Sequence, residues 1–229
     1  MTPPRPVAVV GLQSEARRIA GLGLDILIGG GDSAALAARL DAALTQGAAG
    51  VISLGLCGAL DPTLGLGDLV IGQSVATSNS LFRADPAWTR RLAARLPAAR
   101  LGVVAAEDRP VVRAQDKRDL AARTGALIAD MESHLVARAA TAHNRPFVVL
   151  RAPSDLASQT LPPAALVGMK SDGGTDLAAV LASLIRAPAQ LPALMALARG
   201  AGAGLKALER AARASGPDFA FSDRPSGEA

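Results

Sequence analysis

Tyrosine is absent from this 229-residue chain, and one Trp and four Phe make up all of its aromatic content. Binding unpaired bases takes a row of aromatic faces. This sequence cannot supply one, so nucleic acid is excluded as an expected partner. The single cysteine, Cys57, rules out an intrachain disulfide and a thiolate metal cluster. Two histidines, His134 and His143, are too few for a His-rich centre, so no metal is expected. No stretch reaches the roughly 18 uninterrupted apolar residues that a spanning helix needs. The opening Met1-Thr2-Pro3-Pro4-Arg5 lacks the apolar segment of a secretory signal, and a cytoplasmic location is expected. Charge of neither sign dominates: 24 basic and 20 acidic residues leave +4. The high isoelectric point follows from Arg-rich composition and missing Tyr, not from a dense basic patch.

What the chain has in quantity is aliphatic residues. Half of it is hydrophobic, enough for a sizeable core in one α/β domain. Short continuous apolar runs predict buried strands at 7–10, 25–28, 50–54, 66–72, 101–104, 126–129 and 146–150. Helical patterns fall at 15–20, 33–45, 86–96, 116–123, 133–143 and 176–185, the second capped by Asp32 or Ser33. Strands alternating with helices imply a three-layer α/β domain with a largely parallel sheet covered on both faces. The expected division is a catalytic unit over 1–186, a helical extension over 187–214 and a loose polar tail over 215–229. Gly200, Gly202 and Gly204 interrupt the extension, so one long helix and two jointed helices both fit.

The run Pro146-Phe147-Val148-Val149-Leu150-Arg151-Ala152-Pro153-Ser154-Asp155 reads as a buried strand that halts at Pro153 and presents Ser154 and Asp155. Ligands bind outside the carboxyl ends of strands in α/β folds. Glu15 and Glu132 follow other strands, so three carboxylates can converge at one sheet edge. Helix capping is the competing role for each acid taken alone. Gly29-Gly30-Gly31 and Gly55-Leu56-Cys57-Gly58 follow strands too, with neither dinucleotide nor P-loop spacing. Ser154 lacks the nucleophile-elbow context, and Cys57 without a His partner reads as a buried structural thiol.

Five blocks together resemble the nucleoside phosphorylase/nucleosidase superfamily: Gly11-Leu12-Gln13-Ser14-Glu15, Ser53 to Leu60, Leu66 to Gly72, Asp130-Met131-Glu132-Ser133, and Arg151 to Asp155. They stand in the family's order and near its spacing, from about Val7 to Ile185. The resemblance implies cleavage of an N-glycosidic bond without a cofactor. Asp155, supported by Ser154, would protonate the purine at N7. Glu132 and Met131 would hold the ribose. Val111, with Pro110, and Gly58 would contact the base. Phosphate-binding positions of the phosphorylase branch read Glu15, Ser53 and Leu56 here, which implies hydrolysis with Glu15 activating water. Burial at an apolar strand end would keep a proton on Asp155.

The segment after Asp155 and the helical tail look like the hopanoid-associated branch, which implies adenosylhopane as substrate and ribosylhopane as product. Leu191, Leu194, Leu205 and Leu208, with Arg199, Lys206 and Arg210, would then touch a membrane; packing on the domain or on a second subunit is the other reading. Methylthioadenosine/S-adenosylhomocysteine nucleosidase and purine nucleoside phosphorylase are the alternatives, and the superfamily commonly forms homo-oligomers.

Overall fold

Apolar runs do become strands. The computed structural model describes residues 5–167 and 172–222. Its elements are β1 (Val7–Val10), α1 (Gln13–Ile19), β2 (Asp25–Ile28), α2 (Ser33–Thr45), β3 (Val51–Ala59), β4 (Val70–Ala76), β5 (Leu81–Arg83), α3 (Pro86–Arg95), β6 (Arg100–Ala106), α4 (Ala114–Thr124), β7 (Ala126–Asp130), α5 (Ser133–Ala142), β8 (Phe147–Asp155), α6 (Pro163–Leu166), α7 (Leu177–Arg186) and α8 (Leu191–Ser215), with a 3-10 turn at Pro188–Gln190. Local chemistry sets many of the ends. Asp32, Asp85 and Asp176 each accept a backbone N–H three residues on, which satisfies a donor the helix itself leaves unpaired. Gly125 closes α4 in the left-handed conformation.

The sheet is mixed. β1 pairs in parallel with β2 and β3, and β3 with β8. β4, β6 and β7 run parallel to one another. They meet the first group through antiparallel pairs, β4 with β8 and β7 with β3. The pairings therefore close a ring, β3–β8–β4–β6–β7. Alternate strand residues feed two cores. Val7, Val9, Val51 and Val149 pack with Leu40, Leu44 and Val136 from α2 and α5. Ala8, Val10, Ile52, Leu54, Val148 and Leu150 pack with Trp88, Leu92 and Leu208 from α3 and α8. The result is the three-layer α/β arrangement expected.

Three expectations need correction. The strand placed at 66–72 begins only at Val70, because Leu66-Gly67-Asp68 is a turn: Gly67 has φ +79° and Asp68 Oδ2 accepts the Gly65 N–H at 2.8 Å. The strand ending at 150 runs on through Pro153 to Asp155. Pro is tolerated there because β8 pairs with β4 only over Val149–Arg151, so beyond 151 no neighbour on that side requires an N–H. Residues 187–222 are not an appendage. Ala207, Leu208, Ala211 and Ala212 of α8 are buried in the second core. A Cβ on Gly200 would lie 2.0 Å from the Ser154 carbonyl oxygen, and one on Gly204 would lie 2.5 Å from Leu56 Cδ2. These glycines let one continuous helix lie against β8, and that packing offsets their low helix propensity.

The tail follows the same pattern. Phe219 is fully buried, and its carbonyl accepts the Trp88 indole N–H at 2.7 Å. Arg91 donates to the Ala220 and Phe221 carbonyls, and Trp88 meets Phe221 edge to face at 4.8 Å. Three of the scarce aromatics, Trp88, Phe219 and Phe221, thus anchor the tail as far as residue 222, while 223–229 lie outside the described residues.

Candidate active site

An arginine inside an apolar strand must find its partners within the protein. Arg151 of β8 is completely buried. Its Nε lies 2.7 Å from Asp130 Oδ2 and its Nη2 lies 3.2 Å from Glu132 Oε2. Nη2 also donates to Ser53 Oγ at 2.7 Å. Asp130 is the last residue of β7 and caps α5, accepting the Ser133 N–H at 3.0 Å and the Ser133 hydroxyl. The convergence comes from topology. β3 and β7 meet carboxyl end to carboxyl end, Gly58 opposite Ala129, which carries the turn after β7 back along β3 to Arg151. A single parallel edge, as the sequence suggests, would not do this.

Glu15 arrives from the other side. It occupies the third position of α1 and is buried. Oε2 accepts the N–H groups of Gly11 and Leu12, both at 2.8 Å, and Oε1 accepts that of Leu56 at 2.7 Å. Its helix-capping role is therefore real, and it does not exclude a second one. Burial raises the proton affinity of Glu15, with Arg151 and the three backbone donors opposing the rise. Glu132 is pushed up to about 7, by burial first, with Arg151 lowering it and the neighbouring Asp130 and Glu15 raising it.

Asp155 ends β8, where a Cβ on Gly58 would sit 3.3 Å from its Oδ2. Ser154 Oγ lies 3.1 Å from Asp155 Oδ1 and 3.3 Å from the Cys57 carbonyl oxygen. The surroundings are not the apolar mouth expected. Lys117 of α4, 1% exposed, places its ammonium on Asp155 Oδ2. The same ammonium donates to the Leu156 carbonyl at 2.8 Å and the Gln159 carbonyl at 3.0 Å. Asp155 is thus one half of a buried ion pair and not a lone carboxyl in an apolar pocket.

A cavity of about 270 Å³ gathers these groups. Glu15, Gly58, Val111, Met131, Glu132, Ser154 and Asp155 all line it, together with Arg109, Pro110, Lys117 and Asp130, and with Leu161, Leu197 and Ala201 toward α6 and α8. Each of the seven residues named from the sequence as catalytic or substrate-binding therefore lines it. Asp130 and Arg151 were visible there only as members of a motif. The signal for Arg151 was a charge inside an apolar strand. Lys117 carried no signal, since Asp116, Arg118 and Asp119 around it read as a solvated face. Cys57 is buried, and burial pushes its thiol well above the ordinary range, as suits a packing role. His134 is buried at 3.0 Å from Asp108, away from the cavity lining. Among the described residues no group of three or more His, Cys, Asp or Glu side chains is arranged to hold a metal ion.

The raised carboxyls make stability depend on pH. Glu132 titrates near 7 in the fold against an ordinary 4.5, so the folded state holds the proton more tightly than the unfolded chain. The stability linked to that proton is complete at acid pH and is lost as pH rises from about 4.5 toward 7. The melting temperature is expected to fall over that interval, and Glu132→Gln, which keeps the shape and cannot ionise, is expected to flatten the fall. An unchanged slope in calorimetry across about pH 5 to 8 would contradict this assignment.

Residues 19–187 match the sequence profile of the phosphorylase superfamily. The match spans the blocks at 53–72, 130–133 and 151–155 and begins after the Glu15 turn. Among solved structures, Campylobacter jejuni 5′-methylthioadenosine/S-adenosylhomocysteine nucleosidase is similar at 17% identity, with a TM-score of 0.60 over 90% of this chain and 99% of that one. Helicobacter pylori futalosine hydrolase is similar at 16% identity, with a TM-score of 0.59 over 66% and 88%. The Colwellia psychrerythraea methylthioadenosine/S-adenosylhomocysteine nucleosidase, in complex with adenine, is similar at 19% identity, with a TM-score of 0.57 over 68% and 84%. No curated protein matches the sequence at a significant level. Likeness at these identities establishes a shared fold.

Proposed function

The chain belongs to the phosphorylase superfamily, and from its site we propose that it hydrolyses the N-glycosidic bond of a 5′-substituted adenosine, releasing adenine. The observation that carries this reading is one cavity lined by Glu15, Glu132 and Asp155, with Arg151 already engaged by Asp130 and Glu132. Asp155 delivers a proton to purine N7, which turns a poor leaving group into a good one. Glu132 accepts hydrogen bonds from the ribose hydroxyls beside Met131. As positive charge develops on the sugar, the carboxylates favour it electrostatically. Glu15, with its raised proton affinity, takes a proton from the attacking water. Val111, Pro110 and Gly58 contact the base, and Ser154 steadies Asp155. Phosphate fits poorly: Arg151 is engaged, and the carboxylates of Glu15 and Glu132 would repel a dianion.

For the 5′ group we propose a lipid, as in adenosylhopane, leaving ribosylhopane. The cavity is sized for the nucleoside part, and a tail would leave past Leu161, Leu197 and Ala201. α7, which packs on α6 just after Leu161, offers exposed apolar residues. No residue of α7 is buried, and Leu177, Leu181 and Ile185 are 73%, 61% and 76% exposed, with Leu191 and Met195 of α8 exposed as well. Leu208, expected at a membrane from the sequence, is instead in the core, so the bilayer contact moves to α7 and the start of α8. A second copy of the chain is the other cover for this face. Among the described residues no single helix is long and apolar enough to cross a membrane. The location proposed is cytoplasmic, with peripheral contact to the bilayer. The modest cavity volume favours a second reading, a small 5′ substituent such as methylthio.

Purified protein without phosphate, offered adenosylhopane in detergent micelles or methylthioadenosine, is expected to release adenine from the former faster. Release from methylthioadenosine alone would install the second reading. Release that requires phosphate would overturn hydrolysis, and release from neither would overturn the nucleosidase reading.

A further inference from the structure

Three of the chain's 24 basic residues are lysines: Lys117, Lys170 and Lys206. In so Arg-rich a chain, a lysine at a fully buried position invites a chemical reason. An arginine would pair with a carboxylate at least as well, but it does not give up its proton, whereas a buried lysine does. Lys117 crosses from α4 to the loop after β8 and spends its three N–H bonds on Asp155 Oδ2 and the Leu156 and Gln159 carbonyls. Oδ2 is also the oxygen nearest Gly58, on the cavity wall where the base is placed above.

We propose that Lys117 is the proton store behind Asp155, so that the proton given to the departing purine is shared by the Lys117–Asp155 pair. This rests on the hydrolase reading. As C1′–N9 breaks, its electron pair goes to the purine. N7 gains the proton passed from Lys117 Nζ through Asp155 Oδ2, leaving a neutral amine and a carboxylate. Water forms the new C1′–O bond and loses its proton to Glu15. Solvent then reprotonates Lys117 and takes the proton from Glu15, so the site is restored. Lys117 acts through Asp155 and is a positioning residue. The other ionisable groups on the cavity are Glu15 from α1, Cys57 from β3, Asp130 and Glu132 around the β7–α5 turn, and Arg109 before α4. Among the described residues Asp155 is the one acid in ion-pair contact with Lys117.

The test is the pH profile of kcat/KM for adenine release by wild type, K117M and K117R. If the donated proton is shared by the ion pair, wild-type activity should persist into the alkaline range. With Met, the donor is a lone carboxyl, and activity should fall as pH rises, with the alkaline limb moved down by at least about 2 pH units. K117R restores the ion pair and the fold, and should show the same early alkaline fall because the guanidinium does not yield a proton. A loss equal at every pH, or a wild-type profile in K117R, would overturn the proposal. Should the wild type release no adenine, the hydrolase reading fails separately, and ¹⁵N-lysine NMR still judges the pair. The Lys117 signal must then shift on adding adenine and stay unmoved by adenine in D155N; no shift in wild type would overturn the pairing with the base site.

Discussion

Asp155→Asn is expected to lower adenine release by about 10²–10⁴-fold, the range for removing a general acid. Asn matches Asp in shape and still accepts a hydrogen bond from Lys117, but it has no carboxyl through which a proton can pass to N7. The loss should lie in the chemical step, with adenine binding changed only a few-fold. Some stability should go as well, because Lys117 is 1% exposed and loses its counter-charge. Rates from single-turnover reactions, together with adenine titrations, separate the two effects. Activity within about threefold of wild type, against the 10²–10⁴ expected, would remove Asp155 from the role of acid.

The largest effect on stability is expected from Arg151→Met. Asp130, Glu132 and Glu15 would then share a buried site without their guanidinium. Removing one partner of a buried ion pair costs about 3–5 kcal/mol, a large part of the 5–15 kcal/mol that holds a typical domain folded. For a chain of this size the melting temperature should drop by roughly 10 °C. The deficit carries a pH signature. Glu15 and Glu132 have raised proton affinity, so acidification neutralises them and should recover part of the lost stability. Melting the variant at about pH 5 and pH 8 should show the gap to wild type narrowing at the lower pH. A gap independent of pH would mean that Arg151 acts mainly by filling space.

The membrane-facing question and the acid–base question have different footing in the fold. Glu15, Glu132 and Asp155 are placed by the ends of α1, β7 and β8, elements anchored by buried residues such as Ile19, Ile128 and Leu150. The apolar face of α7 is attached through few neighbours and depends on whatever covers it. Changes at α7 are therefore expected to leave the central sheet intact, whereas changes at Arg151 are not.

Local signals were enough to find most strands and most helices, though not β5 or the true limits of β4 and β8, and to point to seven residues that line one cavity. Apolar runs have only one stable place in a doubly covered sheet, and Asp32 before α2 or Gly125 after α4 act on their immediate neighbours. Other features came from contacts between segments distant in sequence. Pro153 stays in its strand because no partner demands its N–H. Gly200 and Gly204 extend a helix instead of breaking it because β8 lies against them. Lys117 meets Asp155 across 38 positions, so no local pattern could mark it out from its charged neighbours on α4. Burial is a property of the assembled layers: it is the closing of the ring β3–β8–β4–β6–β7 and the packing of α4 that take water away from Arg151, Glu132 and Lys117, and desolvation is what raises the proton affinity of Glu132.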